Sequence, residues 1–374
     1  MRIGLLKEIK KEEYRVALTP GGVAQLTTRG HRVHVEQGAG YGSEFADELY
    51  AQAGAEIVPR AADIYAQCDL IMHVKEPQPD EYPLIRSGQI LFTYFHFAAS
   101  EQLTRAMQKT HAICMAYETI TTADGQLPLL TPMSEVAGRM AAQEGAKYLE
   151  HSQGGRGMLL GGVTGVEPAT VLVLGGGVVG TEAARMACGL GARVYILDTS
   201  LNRLKQLGEI LPKNCFPLMS NPETIAELAP KSDLIIGAVL IHGAKAPRLI
   251  TRQMLKSLKK GTVLVDVAID QGGCFETSRP TTHREPTYEV EGIVHYCVAN
   301  MPGAVPLTST VALTNATLPY VLELADKGWC AAAVDNPAIR EGLNIIQGRI
   351  CCQAVAQAFG LPYTPVEQLL KESC

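Results

Sequence analysis

The chain has 374 residues, of which 47% are hydrophobic and 19% are charged, and both fractions are typical of a globular protein. Its net charge of −5 gives no reason to expect a nucleic-acid partner, and it shows neither a signal-like apolar start nor an apolar run near the ~18 residues of a membrane span. The ten cysteines include no CxxC pair, which favours reduced thiols in the cytoplasm over a disulfide framework or a metal site.

The first 125 residues alternate short apolar runs with helix-like stretches. The strand candidates are RIGLLK, HRVHVEQ, AEIVP, CDLIMHVKE, GQILFTYFH and HAICMAYETI. The helix candidates between them are GGVAQLTTRG, ADELYAQAG, AADIYAQ and SEQLTRAMQKT. This alternation predicts an α/β unit, and the stretch contains no phosphate-binding glycines of its own.

The middle third predicts a second, doubly wound α/β unit. Parallel strands covered by helices on both faces read as continuous apolar runs, and six such runs occur: TVLVLG, ARVYILD, CFPLM, DLIIGAV, TVLVDVAI and GIVHYCV. The first three helix candidates among them are VVGTEAARMACGLG, LNRLKQLGEIL and NPETIAELA. In the last of these, Asn221 is the expected N-cap and Pro222 lies in the first turn.

Longer helical stretches flank the middle third. One covers 134–153 and is expected to open at Ser134 and Glu135, and another covers 309–328, where Pro319 should kink or break it. Residues 336–360 are also predicted to be helical, with no sheet of their own.

These elements predict a chain of two α/β domains. The C-terminal helices have no sheet of their own, so the simplest arrangement returns them to the N-terminal unit. We therefore expect a discontinuous first domain, 1–128 with 307–374, and an inserted domain, 129–306.

The stretch VLVLGGGVVG carries a candidate phosphate-binding corner. Gly175, Gly177 and Gly180 fit G-x-G-x-x-G between a strand candidate and a helix candidate. The first glycine permits a tight turn, the second lets the backbone approach a diphosphate, and the third lets helix and strand pack closely. The helix N-terminus offers N–H groups to the phosphate charge. The motif predicts that domain 129–306 binds a dinucleotide, and the alternative is a glycine-rich turn without a ligand.

An acidic residue follows at the position where ribose recognition is expected. Asp198 ends the next strand candidate, and a carboxylate there accepts from both ribose hydroxyls and repels a 2′-phosphate. This favours NAD over NADP. Arg203 lies one helical turn further and weakens the preference, because a guanidinium could also meet a phosphate.

Three residues of the first domain are candidates for binding the substrate. Arg15 follows a charged loop, Lys75 follows the run DLIMHV, and His96 follows ILFTYF. Strand ends in open α/β sheets face the ligand crevice. Each residue also has an ordinary alternative, as a solvated arginine, a rim lysine or a structural histidine.

Several segments together resemble L-alanine dehydrogenases over essentially the whole chain. They are KEIKKEEYRVALTPGGV, VKEP, LFTYFHFAAS, LLTPMSEVAGRMA, VLGGGVVGTEAA, DVAIDQGGCFETSRPTTH and VANMPGAVPLTST. The same two-domain pattern recurs in the NAD-binding part of proton-translocating transhydrogenases and in saccharopine-type dehydrogenases, so the family is broader than one reaction.

The resemblance implies a reaction and a role for four residues. Arg15 and Lys75 would hold the carboxylate and carbonyl side of the substrate, and His96 and Asp270 would carry the proton chemistry. The implied reaction is reversible oxidative deamination of L-alanine: the Cα hydride passes to nicotinamide, water adds to the iminium, and pyruvate and ammonia are released.

The resemblance also implies a set of cofactor contacts for NAD. They are Ser134, Gly175, Gly177, Val178, Gly180, Asp198, Arg203, Ser220, Val239, Leu240, Val267, Ala268, Ile269, Asp270, Arg279, Val298, Ala299, Asn300 and Met301.

The implied partners are small molecules and further copies of the chain. The resemblance implies a homohexamer that acts on L-alanine, pyruvate and ammonia. Composition, charge and cysteine usage predict a cytoplasmic protein without a metal, a membrane or a nucleic-acid partner. Three alternatives stay open: a transhydrogenase-like NAD-binding subunit, a non-catalytic NAD sensor, and a dehydrogenase for another amino acid.

Overall fold

A computed structural model describes residues 1–239 and 246–373. It divides into two compact units, one formed by Met1–Met133 with Val305–Cys374 and the other by Ser134–Ala304. Within the described residues each unit has one β-sheet and a hydrophobic core of its own.

The strands are numbered in chain order through the described residues. They are β1 Arg2–Leu5, β2 Arg32–Glu36, β3 Glu56–Val58, β4 Leu70–Met72, β5 Ile90–Thr93, β6 Ile113–Ala116, β7 Thr170–Leu174, β8 Arg193–Asp198, β9 Cys215–Met219, β10 Leu234–Gly237, β11 Val263–Asp266, β12 Thr287–Val290, β13 Ile293–Tyr296, β14 Leu343–Ile346 and β15 Arg349–Ile350.

The α-helices are numbered in the same way. They are α1 Pro20–Thr28, α2 Asp47–Gln52, α3 Ala61–Gln67, α4 Glu101–Thr110, α5 Thr131–Tyr148, α6 Val178–Gly189, α7 Leu201–Ile210, α8 Pro222–Leu228, α9 Arg252–Leu255, α10 Pro306–Asp335, α11 Pro337–Gly342, α12 Gln353–Phe359 and α13 Val366–Ser373.

The sheet of the first unit has the order β15-β14-β6-β5-β4-β1-β2-β3. Strands β1 to β6 are parallel to their neighbours among themselves, and all six N-terminal strand predictions are confirmed. Their carboxyl ends therefore lie at one edge of the sheet, which is where the loops carrying Arg15, Lys75 and His96 begin.

The expectation that residues 336–360 are helical is wrong for part of this range, although the range joins the sheet of the first unit and forms none of its own. Within this range β14 pairs antiparallel with β6 and with β15. A tight turn joins β14 to β15 at Gln347 and Gly348, which have φ of 48° and 83°. Positive φ at both central residues matches the twist of a two-residue hairpin, and all four residues of β14 are buried.

The sheet of the second unit has the order β12-β13-β11-β10-β7-β8-β9. All its neighbours are parallel except β12, which pairs antiparallel with β13. The chain returns from β9 to the far side of β7 when it forms β10. This reversal is the topological switch point beside which doubly wound sheets bind ligands.

Two helices differ from their sequence-based predictions. Helix α5 begins at Thr131 and not at Ser134, because the Thr131 N–H already donates to the Leu127 carbonyl at 2.9 Å. Helix α10 does not end at Pro319, and its non-helical residue is Gly328, with φ of 77°. A proline removes a single hydrogen bond of the helix, and buried Leu318, Val321 and Leu322 pack on either side of that position.

The described cysteines are mostly buried thiols. Eight are free and seven of those are buried, whereas Cys330 is disulfide-bonded, so the expectation of reduced thiols is wrong at that position. Among the helices of residues 1–239 and 246–373, none is both long and apolar enough to cross a membrane.

Candidate functional site

The glycine corner between β7 and α6 depends on two glycines for its geometry. Gly175 has φ of 102°, and a Cβ there would stand 2.7 Å from the carbonyl oxygen of Ala238. A Cβ on Gly180 would stand 1.8 Å from the carbonyl oxygen of Gly175. Side chains at these positions would therefore push strand, helix and neighbouring loop apart.

Gly177 differs from the other two glycines because its missing side chain leaves open space. A Cβ there would meet no atom of the described residues within 4 Å. Gly177 is the N-cap of α6, and no described side chain caps the helix. This twelve-residue helix thus begins without a side-chain cap from the described residues and beside a glycine with open space around it, an arrangement suited to a phosphate group.

Asp198 and Arg203 both bind the backbone of Gly176, the first at its N–H and the second at its carbonyl. Asp198 accepts from the Gly176 N–H at 2.9 Å and from the Ser200 N–H at 2.8 Å. The Nε of Arg203 donates to the Gly176 carbonyl at 2.7 Å, and its Nη2 donates to Thr181 Oγ1 at 2.8 Å. The Arg203 guanidinium is therefore bound to the glycine corner itself.

Most of the other expected cofactor residues follow strand ends of the same sheet. Val178 opens α6, Ser220 follows β9, Val239 follows β10, Val267, Ala268, Ile269 and Asp270 follow β11, and Val298, Ala299, Asn300 and Met301 follow β13. The structure thus brings them to one carboxyl edge. Leu240 lies outside the described residues.

Two of the expected cofactor residues lie elsewhere in the second unit. Ser134 lies in the first turns of α5, and Arg279 lies 4.3 Å above the ring of Tyr288 in β12.

The exposed Asp270 lies in a 3₁₀ turn, Val267–Gln271, that is shaped by Asp266. The buried Asp266 carboxylate accepts from the backbone N–H of Ala268 at 3.1 Å and of Cys274 at 2.9 Å, and also from the Ser278 hydroxyl. Burial raises the pKa of Asp266, and these hydrogen bonds oppose the rise. Sequence reasoning missed this residue, although an acidic residue at a strand end was a signal for it.

Arg15 is buried in the first unit against a carboxylate that the sequence analysis also missed. Its Nε and Nη2 donate to the two carboxylate oxygens of Glu13 at 2.7 and 2.6 Å. Burial alone would lower the pKa of Arg15, but the hydrogen bond and charge of Glu13 outweigh it and the pKa is raised. The Nη1 of Arg15 donates to the Met133 thioether at 3.0 Å, and a thioether is a weak acceptor.

His96 and Lys75 follow neighbouring strands at the same sheet edge as Arg15. The imidazole of His96 is solvent-accessible and stacks on the ring of Tyr94, with centroids 5.9 Å apart. Desolvation by surrounding protein lowers the pKa of His96, and the charges of Lys75, Lys10 and Arg15 lower it further. The three candidates thus share one electrostatic environment, which disfavours the charged form of the imidazole.

A buried polar network lies beneath these loops. His73, directly after β4, is 3.2 Å from Glu8 and 3.4 Å from Glu81, and its Nε2 is 3.0 Å from the Tyr65 hydroxyl. Glu8 also accepts from the Val74 N–H at 2.5 Å. The network therefore ties the loop that leads to Arg15 to the loop that carries Lys75.

Comparisons with known proteins agree over the whole chain. Family models described as the N-terminal and C-terminal domains of alanine dehydrogenase/PNT match residues 4–137 and 141–353. The chain is 54% identical to an alanine dehydrogenase of Methanococcus maripaludis, with all of both chains covered. It is also 54% identical to an alanine dehydrogenase of Bacillus subtilis, covering 100% of this chain and 98% of that one.

Two solved structures share the fold. One, an L-alanine dehydrogenase, matches with a TM-score of 0.93 and 50% identity, covering 96% of this chain and 99% of that chain. The other, a transhydrogenase from Sinorhizobium meliloti, matches with a TM-score of 0.80 and 26% identity, covering 95% of this chain and 100% of that chain.

Proposed function

The chain belongs to the alanine dehydrogenase/PNT family, and we propose that it catalyses the reversible NAD-dependent oxidative deamination of L-alanine to pyruvate and ammonia. The observation that carries the proposal is the 54% identity over the full length of alanine dehydrogenases. Arg15, Lys75, His96 and Asp270 are the residues proposed to do the chemistry. The proposed setting is a cytoplasmic homohexamer.

The second unit fits the dinucleotide that this reaction needs. The bare surface at Gly177 and the uncapped start of α6 suit a diphosphate. Asp198 stands at the end of β8, where a carboxylate suits ribose hydroxyls and repels a 2′-phosphate. Bound NAD would supply the acceptor for the substrate hydride. We assign the binding of NAD to Ser134–Ala304, with Leu240 and the strand-end residues named above.

The first unit supplies groups that suit a small amino acid. A carboxylate is a far stronger acceptor than the Met133 thioether that now accepts from Nη1 of Arg15. The substrate carboxylate would therefore accept from Nη1, while Nε and Nη2 stay bound to Glu13. Lys75 would share the substrate anion or polarise its carbonyl. Neutral His96 would take a proton from the attacking water, and Asp270 is the second candidate for that step.

The test is a turnover assay with the purified full-length chain. We expect NAD reduction with L-alanine, and NADH oxidation with pyruvate only when ammonium is present. L-2-aminobutyrate and L-lysine serve as comparison substrates, and NADP replaces NAD in a parallel series. Preferred turnover of another amino acid would transfer the proposal to that substrate.

The same preparation separates the remaining alternatives. Transfer of hydride from NADH to an NAD analogue without any amino acid would support a transhydrogenase-like subunit, in line with the structural match to a transhydrogenase. Binding of NAD without turnover of any substrate would support a sensor. Either result would contradict the proposed activity.

A further inference from the structure

Glu118 contacts the backbone of His96 directly. It lies in the 3₁₀ turn Tyr117–Thr119 that follows β6, the strand next to β5. One carboxylate oxygen accepts from the His96 N–H at 2.6 Å, and the other accepts from the Phe95 N–H at 3.3 Å. A side chain from one strand end thus binds two successive peptide groups at the neighbouring strand end.

The peptide groups that Glu118 holds belong to a strained turn. His96 has φ of 51° and ψ of 41°, in the left-handed region that residues with a Cβ rarely adopt. Such a conformation persists when the surroundings hold it, and it is often found where a functional side chain must be presented. In this turn the imidazole is stacked on Tyr94, while the carboxylate of Glu118 holds the backbone.

The carboxylate is partly buried among groups that affect its charge. Desolvation raises the pKa of Glu118 to about 7, while the N–H groups of His96 and Phe95 and the charge of Lys75 oppose the rise. Tyr94 and Cys352 are further titratable groups whose charged forms interact with it. Protonation would replace an anionic acceptor by a neutral one and weaken its hold on the turn.

We propose that Glu118 is a positioning residue for proton transfer at His96, and that its carboxylate holds residues 95 and 96 in the turn that presents the imidazole. This inference rests on the proposed function, because it assumes that His96 exchanges the proton. Glu118 binds two backbone N–H groups and not the imidazole, so it would affect the reaction by orienting the His96 ring.

The first test compares Glu118→Ala and Glu118→Gln with Glu101→Gln, an exposed glutamate on α4 that pairs with Arg105. We expect Glu118→Ala to lower kcat by about 10²-fold, the cost of a misplaced catalytic group, with the Kd for NAD unchanged. Glu118→Gln keeps one oxygen to accept from His96 and should lose less. The limb of the kcat profile near pH 7 should shift in both variants and stay in place in Glu101→Gln.

A double-mutant cycle tests whether Glu118 acts through His96. His96→Ala should lower kcat by about 10²- to 10⁴-fold, the usual contribution of one acid–base group. Adding Glu118→Ala to that variant should cost nothing more, whereas a purely structural role would lower the residual rate again. If Glu118→Ala does not fold, Glu118→Gln replaces it in the cycle.

Two results would overturn the inference: wild-type kcat and pH profile in both Glu118 variants, or full additivity with His96→Ala. An inactive wild-type chain would contradict the proposed function itself. An active chain whose Glu118 variants keep the wild-type kcat and pH profile would contradict this inference alone.

Discussion

At the scale of single residues, the glycine corner separates ligand binding from folding. Gly175 and Gly180 lack side chains because backbone atoms of neighbouring elements occupy the space. Gly177 also lacks a side chain, but no described atom occupies the space that its side chain would fill. A motif that is uniform in sequence therefore contains two packing glycines and one glycine whose surface is available to a phosphate.

This difference predicts opposite results for two alanine substitutions. Gly177→Ala should leave the unfolding midpoint in urea unchanged and weaken NAD binding, because its methyl group enters the space assigned to the diphosphate. Gly180→Ala should lower the midpoint, since overpacking typically costs about 1–3 kcal/mol. Equilibrium dialysis and urea unfolding measure the two effects. Unimpaired NAD binding by Gly177→Ala would contradict the placement of the diphosphate.

At the scale of elements, loops at the carboxyl edges of the two sheets are held by buried or partly buried carboxylates. Glu8 binds the backbone after β4, Asp266 binds the turn after β11, and Glu118 binds the turn after β5. Each carboxylate accepts N–H groups that irregular backbone would otherwise leave unpaired. The loops that carry the candidate groups are therefore fixed by polar contacts as well as by apolar packing.

The network around His73 predicts a pH-dependent stability. Burial alone would lower the pKa of His73, but the charges of Glu8, Glu81 and Glu36 and the hydrogen bond that the imidazole donates to Glu8 outweigh it and raise the pKa. A raised histidine pKa means that the native state binds the proton more tightly than the unfolded state. The stabilisation is complete below the unfolded pKa of about 6.5 and is lost as pH rises through the folded pKa, by up to about 1.4 kcal/mol per pH unit.

Urea unfolding between pH 6 and pH 9 checks this expectation. The midpoint of the wild-type chain should fall with pH more steeply than that of His73→Gln, which has no imidazole to titrate in the network. His151→Gln changes an exposed histidine of the second unit and should follow the wild-type curve. Parallel curves for His73→Gln and the wild type would show that His73 does not gain a proton on folding.

Strands with at least one parallel neighbour were predictable from sequence, and the strands that pair only antiparallel were not. The runs that form β1 to β11 and β13 are mostly apolar, which is the signature of buried parallel strands. Strands β12, β14 and β15 are short and lie at or near sheet edges. A turn at Glu291–Gly292 joins β12 to β13, and a turn at Gln347–Gly348 joins β14 to β15. These turns use positive φ at a residue other than asparagine or aspartate, so the common hairpin signal was absent.

The candidate site was predictable as a set of residue types and not as a network. Their positions after predicted strands identified Lys75 and His96 as candidates. Searching for carboxylates at the same kind of position would also have identified Glu118 and Asp266. What no spacing reveals is which backbone N–H groups tertiary packing brings to each carboxylate. The pairing of Glu13 with Arg15 is local in sequence, but it depends on burial of both side chains, which periodicity does not report.

At the scale of the whole molecule, two units with separate sheets and cores carry different parts of the proposed reaction. Arg15 belongs to the first unit and Gly177 to the second. The chain passes from the first unit to the second at residue 133 and returns at residue 305. Recognition of the amino acid and of the dinucleotide should therefore be separable by single substitutions, although turnover needs both.

Arg15→Lys tests this division of labour. Lysine keeps the charge but loses the planar fork, so the KM for L-alanine and for pyruvate should rise by about 10- to 100-fold, the worth of one hydrogen bond to a charged group. The Kd for NAD should stay at the wild-type value, whereas Gly177→Ala should show the reverse pattern. If the contributions are independent, the loss in kcat/KM for the double variant equals the product of the two single losses. Weaker NAD binding by Arg15→Lys, with the KM for L-alanine unchanged, would contradict the assignment of substrate recognition to the first unit.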